Sequence, residues 1–225
     1  VVSMGEEKET IPFLQPGSAM EYALSTAIKK LSVVNKPAIA LIQGHGEPTI
    51  SDIMQVYTEL SILYDVQPFT LTDTSVISEK FQTIAIVRPL DTIPPSHLAV
   101  LDKFLDRGGN IFLALNRVEG NFSNAMGTAV SVGMEDWLRQ KGITISDDFI
   151  IDSNCGAVTL QQSQGTFTMS TQISFPYLPV INKFADNPIT RGLESVNLQF
   201  ASPISFTGDS TLKFTPIAFS SEKSG

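Results

Sequence analysis

Residues 38–48 read AIALIQGHGEP. Five of the first six are apolar and the run stops at Gly44, which is how a strand buried on both faces ends. The next five residues, Gly44-His45-Gly46-Glu47-Pro48, sit at the carboxyl end of that expected strand, where open α/β sheets keep their ligand sites. The fold therefore turns on whether the neighbouring segments repeat the same strand-then-helix pattern.

They do. Residues 49–63 carry Ile53, Val56, Tyr57 and Leu60 at helical spacing. DVQPFTL (65–71) is an expected strand that Pro68 places near a sheet edge. TIAIVRP (83–89) is a further apolar strand. PPSHLAVLDKFLDRGG (94–109) is a helix opened by two prolines and closed by two glycines, with Leu98, Leu101 and Leu105 on one face. NIFLALN (110–116) is the next strand. Strands alternating with helices of these lengths predict a parallel sheet with helices on both faces.

Upstream, VVSMGEEKETIPFL reads as two short strands around a polar turn at 5–8. PGSAMEYALSTAIKKL reads as a helix on Ala19, Tyr22, Ala23, Ala27, Ile28 and Leu31, with lysines in its last turn. Downstream, 133–141 is a short helix, and ITI (143–145) and FIID (149–152) are short strands. After Asp152 the texture turns rich in Ser, Thr and Gln, which predicts a β-rich or looped insertion. The last half-dozen residues read as disordered. The expected organisation is an N-terminal strand pair and helix (1–35), an α/β domain (36–207) with a β-rich region at 153–207, and a terminal segment (208–225).

The chain has 225 residues, 42% hydrophobic and 17% charged, which suffices for a substantial core. Its net charge of −8 and the lack of a Lys/Arg cluster argue against a nucleic-acid partner. The single cysteine, Cys155, makes no internal disulfide. No apolar run approaches the roughly 20 residues of a membrane helix, and no signal peptide is visible. Both ends read as cuts through a longer protein.

The 44–47 loop admits three kinds of chemistry and one structural role. A phosphate cradle lacks the Gly-x-Gly-x-x-Gly spacing and the Walker lysine. A metal site has His45 and Glu47 but no third ligand at useful spacing, His97 heading a different helix. An acid–base pair of His45 and Glu47 needs a nucleophile beside it. Structurally, the glycines let the chain turn, Pro48 starts the next helix, and His45 hydrogen-bonds to a neighbouring loop. The structural role is the simplest. Cys155 lies on no Gly-x-Ser-x-Gly-type elbow and reads as an ordinary thiol. Arg88 and Arg117, each just past a central strand, either bind an anion with His45 or pair with acids. Trp137 and FPYLP (175–179) form either a recognition patch or edge packing.

The ordered series GHGEP, LYDVQPFTL, RP, DRGGNIFLALN, LRQKGITISDDFIIDSNC, FPYLPVI, NPIT and FASPI, with EYALSTAIKKL upstream, resembles the extracytoplasmic region of the GldG family. These are the auxiliary, substrate-binding-like components of gliding-motility ABC transporters in Bacteroidetes. The resemblance covers residues 21–220. It implies a flavodoxin-like or class I glutamine-amidotransferase-like sheet, without that superfamily's elbow cysteine, and so a non-catalytic use of the fold. It further implies no cofactor, a permease and an ATPase as partners, contacts with other envelope proteins, and a periplasmic position at the inner membrane with flanking transmembrane helices. The functional edge would comprise Gly44, His45, Gly46, Glu47, Arg88, Asn116 and Arg117. Two other readings remain open. One is a hydrolase or amidotransferase using His45, Glu47 and Cys155. The other is a sugar or peptide receptor using Trp137 and the FPYLP aromatics.

Overall fold

The computed structural model describes residues 1–11, 20–32, 35–121, 126–164 and 167–225. They form two compact units, Val1–Leu115 and Asn116–Gly225.

The first unit opens with a hairpin of β1 (Val2–Met4) and β2 (Glu7–Glu9). Gly5 turns it at φ +64°. The second strand begins inside the expected polar turn, because Glu7–Glu9 pair across to Val2–Met4; the rest of the expected second strand, at 12–14, lies outside the described residues. Helix α1 (Met20–Ser32) follows, and Lys30 Nζ reaches Glu9 Oε1 at 2.7 Å. Ala27 and Leu31 are its buried positions, whereas Ile28 is exposed.

The core of this unit is a four-stranded parallel sheet. Its strands are β3 (Ala38–Gln43), β4 (Asp65–Thr70), β5 (Phe81–Val87) and β6 (Asn110–Ala114), in the order β4-β3-β5-β6. Two helices, α2 (Met54–Leu60) and α3 (Pro95–Asp106), connect β3 to β4 and β5 to β6. Ala40, Leu41 and Ile42 of β3 and Ile84 and Ile86 of β5 are buried, as central strands require. Pro68 lies in the edge strand β4, where a missing N–H costs no ladder bond on the outer side.

Two expectations shift. The helix expected over 49–63 is only Met54–Leu60, and none of its residues is buried. Asp52 explains the late start: its carboxylate accepts hydrogen bonds from Thr49 N–H and Oγ1, which winds 49–53 into turns that compete with helix. On α3 the inward face is Val100, Leu101 and Phe104, with Leu98 and Leu105 only half-buried. That rotation also brings His97 inward, three to four residues before Val100 and Leu101.

The second unit carries small antiparallel sheets. A hairpin of β7 (Val118–Asn121) and β8 (Met126–Ala129) precedes α4 (Glu135–Gln140) and β9 (Ile143–Ile145). A long hairpin comes next, β10 (Cys155–Gln164) against β11 (Phe167–Ile181), so the region after Asp152 is β-rich as expected. The remaining strands are β12 (Lys183–Phe184), β13 (Val196–Asn197), β14 (Ile204–Phe206) and β15 (Ala218–Phe219). They pair β12 with β15, β13 with β11 and β14 with β9.

FIID does not form a strand in any ladder. Ile151 instead exchanges both backbone hydrogen bonds with Gly225, and Asp152 bridges Ser224. The final residues are correspondingly ordered rather than disordered. Asp152 is fully buried and accepts from Ser221 N–H, Ser221 Oγ and Asn154 N–H. Among the described residues no helix is long and apolar enough to cross a membrane.

Candidate functional site

The chain leaves β3 toward β4 and leaves β5 toward β6, in opposite directions along the sheet. Such a switch point, outside the carboxyl ends of the strands, is where open α/β sheets bind ligands. The 44–48 loop follows β3 at this switch point, and its geometry comes from its two glycines. Gly44 has φ +118° and Gly46 has φ +76°. A Cβ on Gly46 would stand 3.0 Å from Leu90 Cβ and 3.2 Å from Asp91 Oδ2. Only glycine combines that backbone with that approach. Between them the His45 carbonyl accepts the N–H groups of both Leu90 and Asp91, at 2.8 Å each, which ties the β3 loop to the β5 loop.

With the backbone turned this way, His45 and Glu47 point inward, 2% and 7% exposed. Glu47 Oε2 accepts the His45 backbone N–H at 2.7 Å, and Oε1 lies 3.1 Å from His45 Nδ1. His45 Nε2 lies 2.8 Å from Nδ1 of His97 in the first turn of α3. His97 Nε2 faces Asp73 Oδ1 at 3.4 Å, and Ser96 Oγ donates to the same oxygen at 2.5 Å. The four side chains form one line from a fully buried carboxylate to a solvent-exposed one, since Asp73 is 76% exposed.

The hydrogen-bond directions in this line are mutually dependent. With Glu47 Oε1 accepting a hydrogen bond from His45 Nδ1–H, His45 Nε2 is left as an acceptor. His97 Nδ1 must then donate, and its Nε2 faces Asp73. A proton added to His45 Nε2 would set two N–H groups face to face at 2.8 Å.

This arrangement answers each chemistry in turn. The loop's own Glu47 occupies the concavity that a phosphate would need, using the His45 amide. Both ring nitrogens of His45 face side chains of the first unit, Nδ1 toward Glu47 and Nε2 toward His97. Among the described residues no three His, Cys, Asp or Glu side chains group as metal ligands. The side chains of Glu47, His45 and His97 form a buried polar latch between the β3 loop and the head of α3, beside the backbone tie to the β5 loop.

The other candidate residues take varied roles. Arg88 is exposed and holds φ +45°, a left-handed conformation uncommon outside glycine, while its N–H donates to Ala114 O. Asn116 is exposed at the start of the second unit. Arg117, also in that unit, donates through Nη1 to the Val130 carbonyl and to Glu135 Oε1 at 2.7 Å. Its guanidinium is thus spent on an acid. Cys155 is half-buried in β10 opposite Pro179. Trp137 is buried on α4, with Lys141 Nζ 4.5 Å from the ring centroid, and serves the core rather than a surface patch. Phe175 and Tyr177 do form an aromatic group, together with Phe149 and Phe200. The sequence set His97 aside as heading a different helix, and it did not single out Asp73 or Ser96. Their spacing of 52 and 23 residues from their partners carries no local signal.

No curated protein matches the chain. Among solved structures, one described as "mmIFT52 N-terminal domain" is similar, with 17% identity and a TM-score of 0.52 over 75% of this chain and 68% of that one. At that identity the likeness concerns the fold alone. A family model described as an ABC-type uncharacterized transport system matches residues 36–225. That span takes in the parallel sheet, the His45 latch and the whole second unit, and the chain belongs to this family of ABC transport auxiliary components.

Proposed function

We propose that the chain is a non-catalytic, extracytoplasmic binding or scaffold domain of an ABC transport complex associated with gliding motility or export. In this reading it has a flavodoxin-like sheet and works on the periplasmic side of the inner membrane. Its partners are the permease and ATPase of its own system. The observation that carries the reading is the closed state of His45. His45 is 2% exposed and its two ring nitrogens face Glu47 and His97, which supports a role in positioning the loops. The family match supports the transport association. The GHGEP-to-FASPI series supports the gliding-motility branch.

The contact edge of the first unit is then Gly44, His45, Gly46 and Glu47 with the exposed Arg88; the polar latch sets its shape and Arg88 meets the partner. Asn116 is a separate exposed contact on the second unit, and Arg117 supports that unit's own hairpin. The test is co-purification of the permease with the tagged protein in cells that express the whole complex. Arg88→Glu should lower recovery at least tenfold, with circular dichroism and a thermal melt checking that the variant folds. Unchanged recovery would sink the edge, and turnover on an amide or ester substrate, lost in His45→Ala, would sink the non-catalytic reading.

A further inference from the structure

The second unit contains a cavity of about 300 Å³ that the transport reading does not use. Four half-buried rings surround it in a closed cycle. Phe149 meets Tyr177 at 5.5 Å between centroids, Tyr177 meets Phe175 at 5.5 Å, Phe175 meets Phe200 at 5.9 Å, and Phe200 returns to Phe149 at 5.2 Å. The period of two along β11 puts Ile173, Phe175 and Tyr177 on one face, and the register Val158↔Ile173 adds the β10 side chains Val158 and Leu160 to the lining.

The opposite wall is built from absent side chains. Gly120 and Gly127 are direct cross-strand partners in the β7–β8 hairpin. A Cβ on Gly120 would lie 2.4 Å from the Phe200 ring, and one on Gly127 would lie 2.7 Å from the Phe149 ring. Two rings thus lie against bare backbone, which sets their planes. Phe200 is held at φ +55°, a conformation that is costly for a bulky residue, and its N–H donates to Tyr177 O. Strain of this kind persists where the surroundings over-determine it, and it recurs at ligand clamps.

The lining defines the ligand. Among the described residues the lining has no charged side chain, and its side-chain polar groups are the Asn121 amide and the Tyr177 hydroxyl. An anion or a sugar would leave most of its polar atoms unpaired there. The size is at the lower end of small-ligand pockets, roughly 300–1,000 Å³, and apolar cavities of this kind accept uncharged rings. The rim residues Leu160, Ile173 and Met126 are 45%, 41% and 62% exposed, so the cavity opens to solvent past an apolar lip. We infer that this cavity is a binding site for an uncharged apolar group, an aromatic ring system or a short hydrocarbon chain.

The test is a fluorescence titration of the intact chain with N-phenyl-naphthylamine, an uncharged probe that brightens in apolar surroundings. Saturable binding at one site is expected. Ile173→Arg and Leu160→Arg, both at exposed rim positions, should each weaken it at least tenfold. Phe112→Arg, an exposed apolar position in the first unit, should leave it unchanged. Circular dichroism and thermal melts check that every variant folds. Displacement of the probe by octanol identifies a free hydrocarbon as the ligand class, and displacement by N-acetylphenylalanine amide identifies a partner's side chain. Absence of saturable binding, equal weakening by Phe112→Arg, or displacement by neither competitor overturns the assignment.

Discussion

At the scale of single residues, His45 is the position where most is at stake. Its ring bridges a buried carboxylate and the head of α3, so deleting it strands two polar partners at once. Leaving a buried polar group without its partner costs about 1–3 kcal/mol, and more for a charged group. We expect His45→Ala to lower the unfolding free energy by about 3 kcal/mol in urea titration. Glu47→Gln keeps the shape but offers only one oxygen to two donors, and should cost about 1–3 kcal/mol. Asp73→Asn, at the exposed end of the same line, should cost under about 0.5 kcal/mol because solvent screens it. Equal effects at 45 and 73 would mean that the line does not act through burial. The sequence made His45 and Glu47 visible, because two glycines and a proline frame them. It did not expose His97 as their partner: a histidine in the first turn of a helix carries no mark of which loop it faces.

At the scale of elements, the parallel strands were legible and the helix faces less so. Uninterrupted apolar runs such as AIALIQ and TIAIVRP admit little besides a central strand. The spacing on 94–109 fits more than one face, and packing chose Val100, Leu101 and Phe104 over the leucine row. The tie between Asp152 and the terminal segment makes a prediction that belongs here. Burial pushes the Asp152 carboxyl upward, but the Ser221 hydroxyl and amide and the Asn154 amide outweigh it, so the group is held below the ordinary aspartate range. A carboxyl depressed in the folded state contributes stability above its unfolded value, near about 3.9, and loses it as pH falls through the folded value. Urea midpoints measured from neutral pH downward should therefore drop in that acid window. Asp152→Asn should lie below wild type at neutral pH and converge with it in acid; parallel curves would rule out this linkage.

At the scale of the whole molecule, charge makes the clearest statement. A net charge of −8 should prevent binding to DNA in a mobility shift at physiological salt, and a salt-sensitive complex would contradict this. The second unit is where sequence reasoning stopped short. Its β-rich texture was readable after Asp152, but its pairings join residues far apart, as Ile145 to Ile204 and Lys183 to Phe219. Strands of two or three residues have too little periodicity to announce a partner.

The sequence alone determined the parallel α/β sheet, the glycine-framed loop at the carboxyl end of its first strand and the lack of a Gly-x-Ser-x-Gly-type elbow motif, because each is written in contiguous residues through periodicity, glycine and proline. Tertiary structure alone decided that His45 closes on His97, that Arg117 is spent on Glu135, and that Phe149, Phe175, Tyr177 and Phe200 encircle a cavity. Each of these depends on which distant surfaces exclude water together. Burial is shared among segments, and no one segment encodes it.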